Sequence, residues 1–174
     1  MAAESDEEEK IEDDGYGIYM DLYESFKNGD WNAAKEFLNV HPHAISAKIT
    51  VSGQAALHVA VEAGHVHIVE ELVQRMYEES LLIKDREGFT ALALAAYNGN
   101  YRMAECMLEK NGRLISCWDM NGNIPVVLAL LNGHLNLARY LYLLTPPEIY
   151  LEENGTMGAS VVCEAIYNKA LGKN

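Results

Sequence analysis

The stretch GQAALHVAVEAGHVHIVEELV, Gly53 to Val73, places His58, His65 and His67 within ten residues, half of the six histidines in the chain. Three imidazoles are one donor set of a catalytic zinc ion, which takes three protein ligands and keeps a fourth position for water. Glu78-Glu79 and Asp85 with Glu87 are paired carboxylates, the residue type of general acid and base work. Neither set has the arrangement its chemistry needs. His65 and His67 are two apart at a helix start, where side chains diverge instead of sharing a face. The carboxylates fall in a connecting segment, where solvated charge is the ordinary finding. No G-x-S-x-G elbow, Walker loop or Rossmann glycine pattern occurs. The residues therefore predict no catalytic group, no metal and no cofactor, and the chain reads as a non-enzyme.

Composition bounds the remaining classes. The chain has 174 residues, 49% of them hydrophobic and 22% charged, enough for one domain with a substantial core. Its net charge of -13 is uneven, because the opening MAAESDEEEKIEDDGYG holds eight carboxylates against one lysine. Residues 1–18 read as an acidic, disordered tail. A carboxylate-rich surface repels phosphate backbones, which excludes nucleic acid as a partner. Cys106, Cys117 and Cys163 are scattered and odd in number, the usage of a reducing compartment, and no secretory signal opens the chain. A cytoplasmic protein is expected. The apolar run Ile124 to Thr145 approaches membrane-spanning length but is broken by Asn132, His134, Asn136 and Arg139, so no direct membrane insertion is expected.

What would position the histidines is a repeat. Gly29, Gly64, Gly99 and Gly133 recur at spacings of 35, 35 and 34, and Gly53, Gly88 and Gly122 at 35 and 34. Behind the second series come Leu57 with Ala60, Leu92 with Ala95, and Val126 with Ala129. Self-similarity of this length means stacked units, none of which can bury its apolar face alone. In one unit, Thr90 serves as N-cap to the short run ALALAAYN, Gly99 breaks it, and YRMAECMLEK places Met103, Ala104, Met107 and Leu108 on one helical face. Two antiparallel helices result, followed by a link whose Asn121-Gly122 invites a hairpin-like turn.

These residues resemble the ankyrin repeat, a turn plus two helices with Thr-Pro-Leu-His-x-Ala on the first helix. Gly53, Leu57, His58 and Ala60 match one copy, Gly88, Thr90, Leu92 and Ala95 a second, and Gly122, Pro125 and Ala129 a third. Gly64, Gly99 and Gly133 match the turn between helices. The resemblance implies an all-α solenoid of stacked helix-turn-helix units joined by hairpin-like links over residues 19–174. Units start near residues 19, 52, 87, 121 and 157, the fifth incomplete. It also implies that His58 is a structural hydrogen-bonding residue, that His65 and His134 sit in turns, and that Cys163 fills a structural histidine's place. The wording of the repeats is similar to the N-terminal repeats of plant ankyrin proteins that carry a C-terminal PGG membrane domain. That likeness reads the chain as a fragment or short form, membrane-associated if the full product carries that region.

By the same resemblance, function falls on a concave face made by the first helices and link tips, which would bind a protein partner. Its outward positions are Glu62, Leu94, Tyr97, Leu128 and Leu131, with Arg86, Phe89, Trp118 and Asn123 on the links. Phe89, Tyr97 and Trp118 are the expected anchors, since aromatics carry a large share of interface energy. An incomplete fifth unit would leave Val161, Val162, Ile166 and Leu171 partly uncovered, an invitation to self-association through that end.

Overall fold

Four turn glycines divide the apolar sequence into four pairs of short helices. The computed structural model describes residues 16–155 together with Val161. Residues 1–15 of the acidic tail expected over 1–18, and the fifth unit apart from Val161, fall outside the described residues; Gly17 and Ile18, expected in the tail, belong to a 3-10 segment, Gly17–Tyr19, that leads into the first helix. The pairs are α1 (Met20–Asn28) with α2 (Trp31–Val40), α3 (Ala56–Glu62) with α4 (Val66–Arg75), α5 (Ala91–Asn98) with α6 (Tyr101–Lys110), and α7 (Pro125–Leu131) with α8 (Leu135–Leu144). Short 3-10 segments follow α2, α4, α6 and α8. Among the described residues there is no strand, only an isolated antiparallel bridge between Lys48 and Ala55.

The starts of α5 and α7 show local devices for the free N–H groups of a helix end. Thr90 Oγ1 accepts the Ala93 N–H at 3.2 Å, as an N-cap should. Pro125 opens α7 at the position where a missing N–H costs nothing. Each pair then closes on a glycine. At Gly99, φ is +76°, the left-handed conformation that ends helices, and a Cβ there would stand 2.5 Å from His134 Nδ1. The Asn100 N–H returns to Ala95 O at 2.8 Å, and the His134 N–H returns likewise to Ala129 O at 2.9 Å.

The first helices form an inner row, α1 on α3, α3 on α5 and α5 on α7, each also packed on its own partner. Enclosed in this way, α3 and α7 bury nearly every side chain, Ala56 to Val61 and Pro125 to Leu130, whereas α1 at the end of the row buries only Leu22 and Phe26. The alanines let the helices approach. The second helices bury one stripe, Ile68, Val69, Leu72 and Val73 in α4, with Met103, Ala104, Met107 and Leu108 in α6. Each large side chain buried there stabilises the fold by about 1.5–3 kcal/mol. The apolar run Ile124 to Thr145 is α7, a turn and α8 folded back on one another, and no helix of the described residues is long and apolar enough to cross a membrane.

The links are hairpin-like, and in the second and third of them an aspartate sets up the turn, a part taken in the first by Thr50 Oγ1, which accepts the Gln54 N–H at 3.0 Å. Asp85 Oδ1 accepts the N–H groups of Glu87 and Phe89 at 2.9 and 2.8 Å, and Asp119 Oδ1 those of Asn121 and Asn123, both at 2.8 Å. The side chain thus replaces a strand partner. Successive links join through Arg86 N–H to Ser52 O, 3.0 Å, and Met120 N–H to Glu87 O, 3.1 Å.

Candidate partner-binding face

Three histidines, His58, His65 and His134, are tied to the backbone of a neighbouring unit. His58 Nδ1 accepts the Ala55 N–H at 3.3 Å, which leaves the proton on Nε2 to be donated to Phe89 O at 3.0 Å. Burial pushes its pKa below the ordinary 6.5, partly opposed by the Phe89 carbonyl. His65 Nε2 donates to Lys27 O at 3.1 Å and His134 Nε2 to Tyr97 O at 2.9 Å. The two rings lie over Gly29 and Gly99, where only hydrogen fits. His67 is exposed. Both nitrogens of His58 are thus committed to the fold, and among the described residues no three His, Cys, Asp or Glu side chains gather as a metal cluster would.

Other reactive residue types are equally engaged or unsuited. Burial raises the Cys106 thiol to about 11 and pushes Cys117 up as well, so neither is a thiolate at neutral pH. Cys163 lies outside the described residues. Glu79 pairs with Arg113 at 3.0 Å, and Asp85 holds its turn.

The inner-helix and link side gathers some of the residues singled out by sequence and not others. Phe89 and Tyr97 meet edge to face, with ring centroids 6.4 Å apart. Tyr97 is 49% exposed while Phe89 is half-buried against the core, so Phe89 supports Tyr97. Leu131, at the corresponding place in the next unit, is 52% exposed. Trp118 and Leu94 are half-buried and pack on the core, and the Trp118 carbonyl accepts from Lys84 Nζ at 2.6 Å. Glu62 is exposed and accepts from Gln54 Nε2 at 2.9 Å, and Asn123 Nδ2 donates to Asp119 Oδ2 at 3.1 Å. Arg86 is exposed at its link tip.

Leu128 is a correction. Expected on the open face, it is only 4% exposed and belongs to the core. The seven residues of α7 make two turns enclosed by α5 and α8, so Leu131 at the end emerges and Leu128 does not. Two exposed link residues, Val51 and Met120, complete the face. Val51 was missed because the first link lacks the motif that registers the other two. Their signal in the sequence is an apolar residue two places before a link glycine.

The side chains that join units are separated by one repeat, and the same is true of the outer helices. Arg102 donates to Glu70 and Glu105, both at 2.8 Å, and Asn111 Nδ2 donates to Glu78 O at 2.8 Å. The ion pairs of Arg75, Arg102 and Arg113 thus lie on the outer helices and the bases of the links. Lys48, Lys84 and Arg86 make no ion pair among the described residues.

Comparison with known proteins gives the same picture. A family model described as ankyrin repeats (3 copies) matches residues 22–117 and 79–152. The chain is 31% identical over 71 residues to Ankyrin repeat-containing protein ITN1 of Arabidopsis thaliana, 41% of this chain and 12% of that protein. It is 33% identical over 104 residues to Ankyrin repeat-containing protein At5g02620 of the same plant, covering 56% and 20%. Target of rapamycin complex 2 subunit AVO2 of Saccharomyces cerevisiae is 26% identical over 113 residues, 65% and 26%. The chain therefore spans between 12% and 26% of the length of these relatives. Repeat spacing, paired helices, turn histidines and the family match agree: the chain belongs to the ankyrin-repeat family, whose members are protein-interaction scaffolds.

Proposed function

We propose that this chain is a non-catalytic module that binds a protein partner on the concave face formed by its inner helices and link tips. The observation that carries the reading is the pair Tyr97 and Leu131, exposed at corresponding positions of adjacent units, with Phe89 bracing Tyr97 from below. Rigid aromatic and apolar anchors backed by a packed core are what interface hot spots are made of. Glu62, Arg86 and Asn123 supply polar contacts at the rim, with Leu94 and Trp118 as supporting floor. A relative named as a subunit of a complex is in keeping with this role.

Affinity capture from cell extract tests it, comparing the chain with a Tyr97→Ala, Leu131→Ala double variant of unchanged circular dichroism. Partners retained by the first and lost by the second support the concave face. Equal capture by both puts binding on another surface.

A second reading draws on the two plant relatives, of whose length the chain spans 12% and 20%. In it, the chain is the cytoplasmic portion of a membrane-associated plant signalling or stress-response protein with a C-terminal PGG membrane domain. Fractionation of the full-length product between cytosol and membranes decides it: recovery in the cytosol rules this reading out.

A further inference from the structure

One contact repeats at the joints between links. The Arg86 N–H donates to Ser52 O at 3.0 Å, and a Cβ on Gly53 would stand 3.2 Å from Arg86 Cγ. One unit further, the Met120 N–H donates to Glu87 O at 3.1 Å, and a Cβ on Gly88 would stand 3.1 Å from Met120 Cγ. Ser52 and Glu87 therefore hold the same place in successive links, each met by a residue of the link that follows. Their chemistry is not the same. The carboxylate of Glu87 belongs to the joint made by Met120, which is apolar, whereas the joint made by the cation Arg86 has a neutral hydroxyl.

What the first joint lacks is an anion. Arg86 is exposed and makes no ion pair among the described residues, while Arg75, Arg102 and Arg113 each have one. The first link, residues 48–55, carries Lys48 as its single charge and no carboxylate. Asp85 Oδ1 holds the turn of the second link, Glu62 accepts from Gln54 Nε2, and Glu87 belongs to the next joint. The first link instead offers two hydroxyls, Thr50 Oγ1 and Ser52 Oγ, 2.9 Å apart. Thr50 is half-buried, and its oxygen accepts the Gln54 N–H at 3.0 Å. Ser52 is exposed at the tip next to Val51, itself 54% exposed, so of the two it is the hydroxyl a second protein can reach.

We propose that Ser52 is a phosphorylation site whose phosphate pairs with Arg86 across the joint between the first and second links. In the active site of a protein kinase, Ser52 Oγ attacks the γ-phosphorus of ATP and gives up its proton to the kinase's catalytic base. The new O–P bond forms as the bond to the β-phosphate oxygen breaks, and ADP leaves. The product brings a charge of about −2 and three acceptor oxygens to a guanidinium that can donate two parallel hydrogen bonds. The joint is strengthened whether or not the concave face binds a partner.

Two measurements test the proposal. Mass spectrometry of the chain isolated from the cells that make it is expected to find phosphate on Ser52; phosphate on Thr50 instead, or on neither, overturns the site. The pairing is read on the full chain with phosphoserine installed at position 52, by phosphorus NMR across pH. The second ionisation of the phosphate falls below its usual value of about 6, because a guanidinium favours the dianion, and Arg86→Gln returns it there. The phosphorylated chain also melts about 2–4 °C above the unmodified one, a gain that Arg86→Gln removes. An ionisation that Arg86→Gln leaves unmoved overturns the pairing, and so does a melting temperature that phosphate changes equally with and without Arg86.

Discussion

Gly64 and Gly99 hold the same left-handed backbone, at φ +81° and +76°, but their surroundings differ. Over Gly99 lies His134, whereas position 100, which would cover Gly64, is asparagine, and a Cβ at Gly64 meets nothing within 4 Å. Both alanine variants bear the conformational cost, about 1–3 kcal/mol. Gly99→Ala also displaces His134 from Tyr97 O, forfeiting a further ~1 kcal/mol. Thermal melting is expected to rank wild type above Gly64→Ala and Gly64→Ala above Gly99→Ala, and equal melting of the two variants would contradict the role given to His134. His58 yields a pH prediction. Its folded pKa lies below the unfolded 6.5, because burial disfavours the charged ring, so the unfolded chain binds the proton more readily. The stability linked to His58 is complete above pH 6.5 and lost as pH falls below it. Urea unfolding across that range should fall more steeply for the wild type than for His58→Gln, and parallel slopes would refute the assignment.

Inner and outer helices answer mutation differently because they are enclosed differently. Leu57 and Leu128 are both buried in the inner row, so Leu57→Ala and Leu128→Ala are each expected to destabilise by about 2–5 kcal/mol. Leu131→Ala, one turn further on an exposed position, should leave the melting temperature nearly unchanged while weakening partner capture. The contrast is measured by denaturant unfolding of the three variants. A Leu128→Ala protein as stable as the wild type would return that residue to the open face. The helices themselves were legible in the sequence, since the turn glycines and the apolar spacing of YRMAECMLEK and VHIVEELVQR each specify a short amphipathic element. The end of an element was not. Leu128 and Leu131 are alike in type and three apart, and only the position of α5 and α8 beside α7 decides which of them meets solvent.

At the scale of the whole molecule, each described first helix packs on that of the next unit, so stability is shared along the row α1, α3, α5, α7. The two tryptophans report on different parts of it, Trp31 on α2 and Trp118 on the link before α7. In Trp31→Phe and Trp118→Phe variants the remaining fluorophore is expected to give one and the same denaturation midpoint, coincident with circular dichroism. Separated midpoints would show that the units unfold independently. Leu57→Ala should then lower the signal of Trp118 as well as that of Trp31, because the loss at α3 passes along the stack.

The sequence by itself determined the period, the paired helices, the family and the structural use of His58, His65 and His134. All of these follow from local spacing and from glycine's access to positive φ. It also assigned His58 and His65 a structural role in place of a catalytic one, since the repeat accounts for both. Tertiary structure decided what lies at the surface: Leu128 in the core, Phe89 beneath Tyr97, and Leu143 with Leu144 uncovered on α8. It also decided which turn glycine a histidine covers. The physical reason is that a side chain's exposure is set by the neighbouring unit about 35 residues away, and spacing within one unit carries no record of that neighbour's reach.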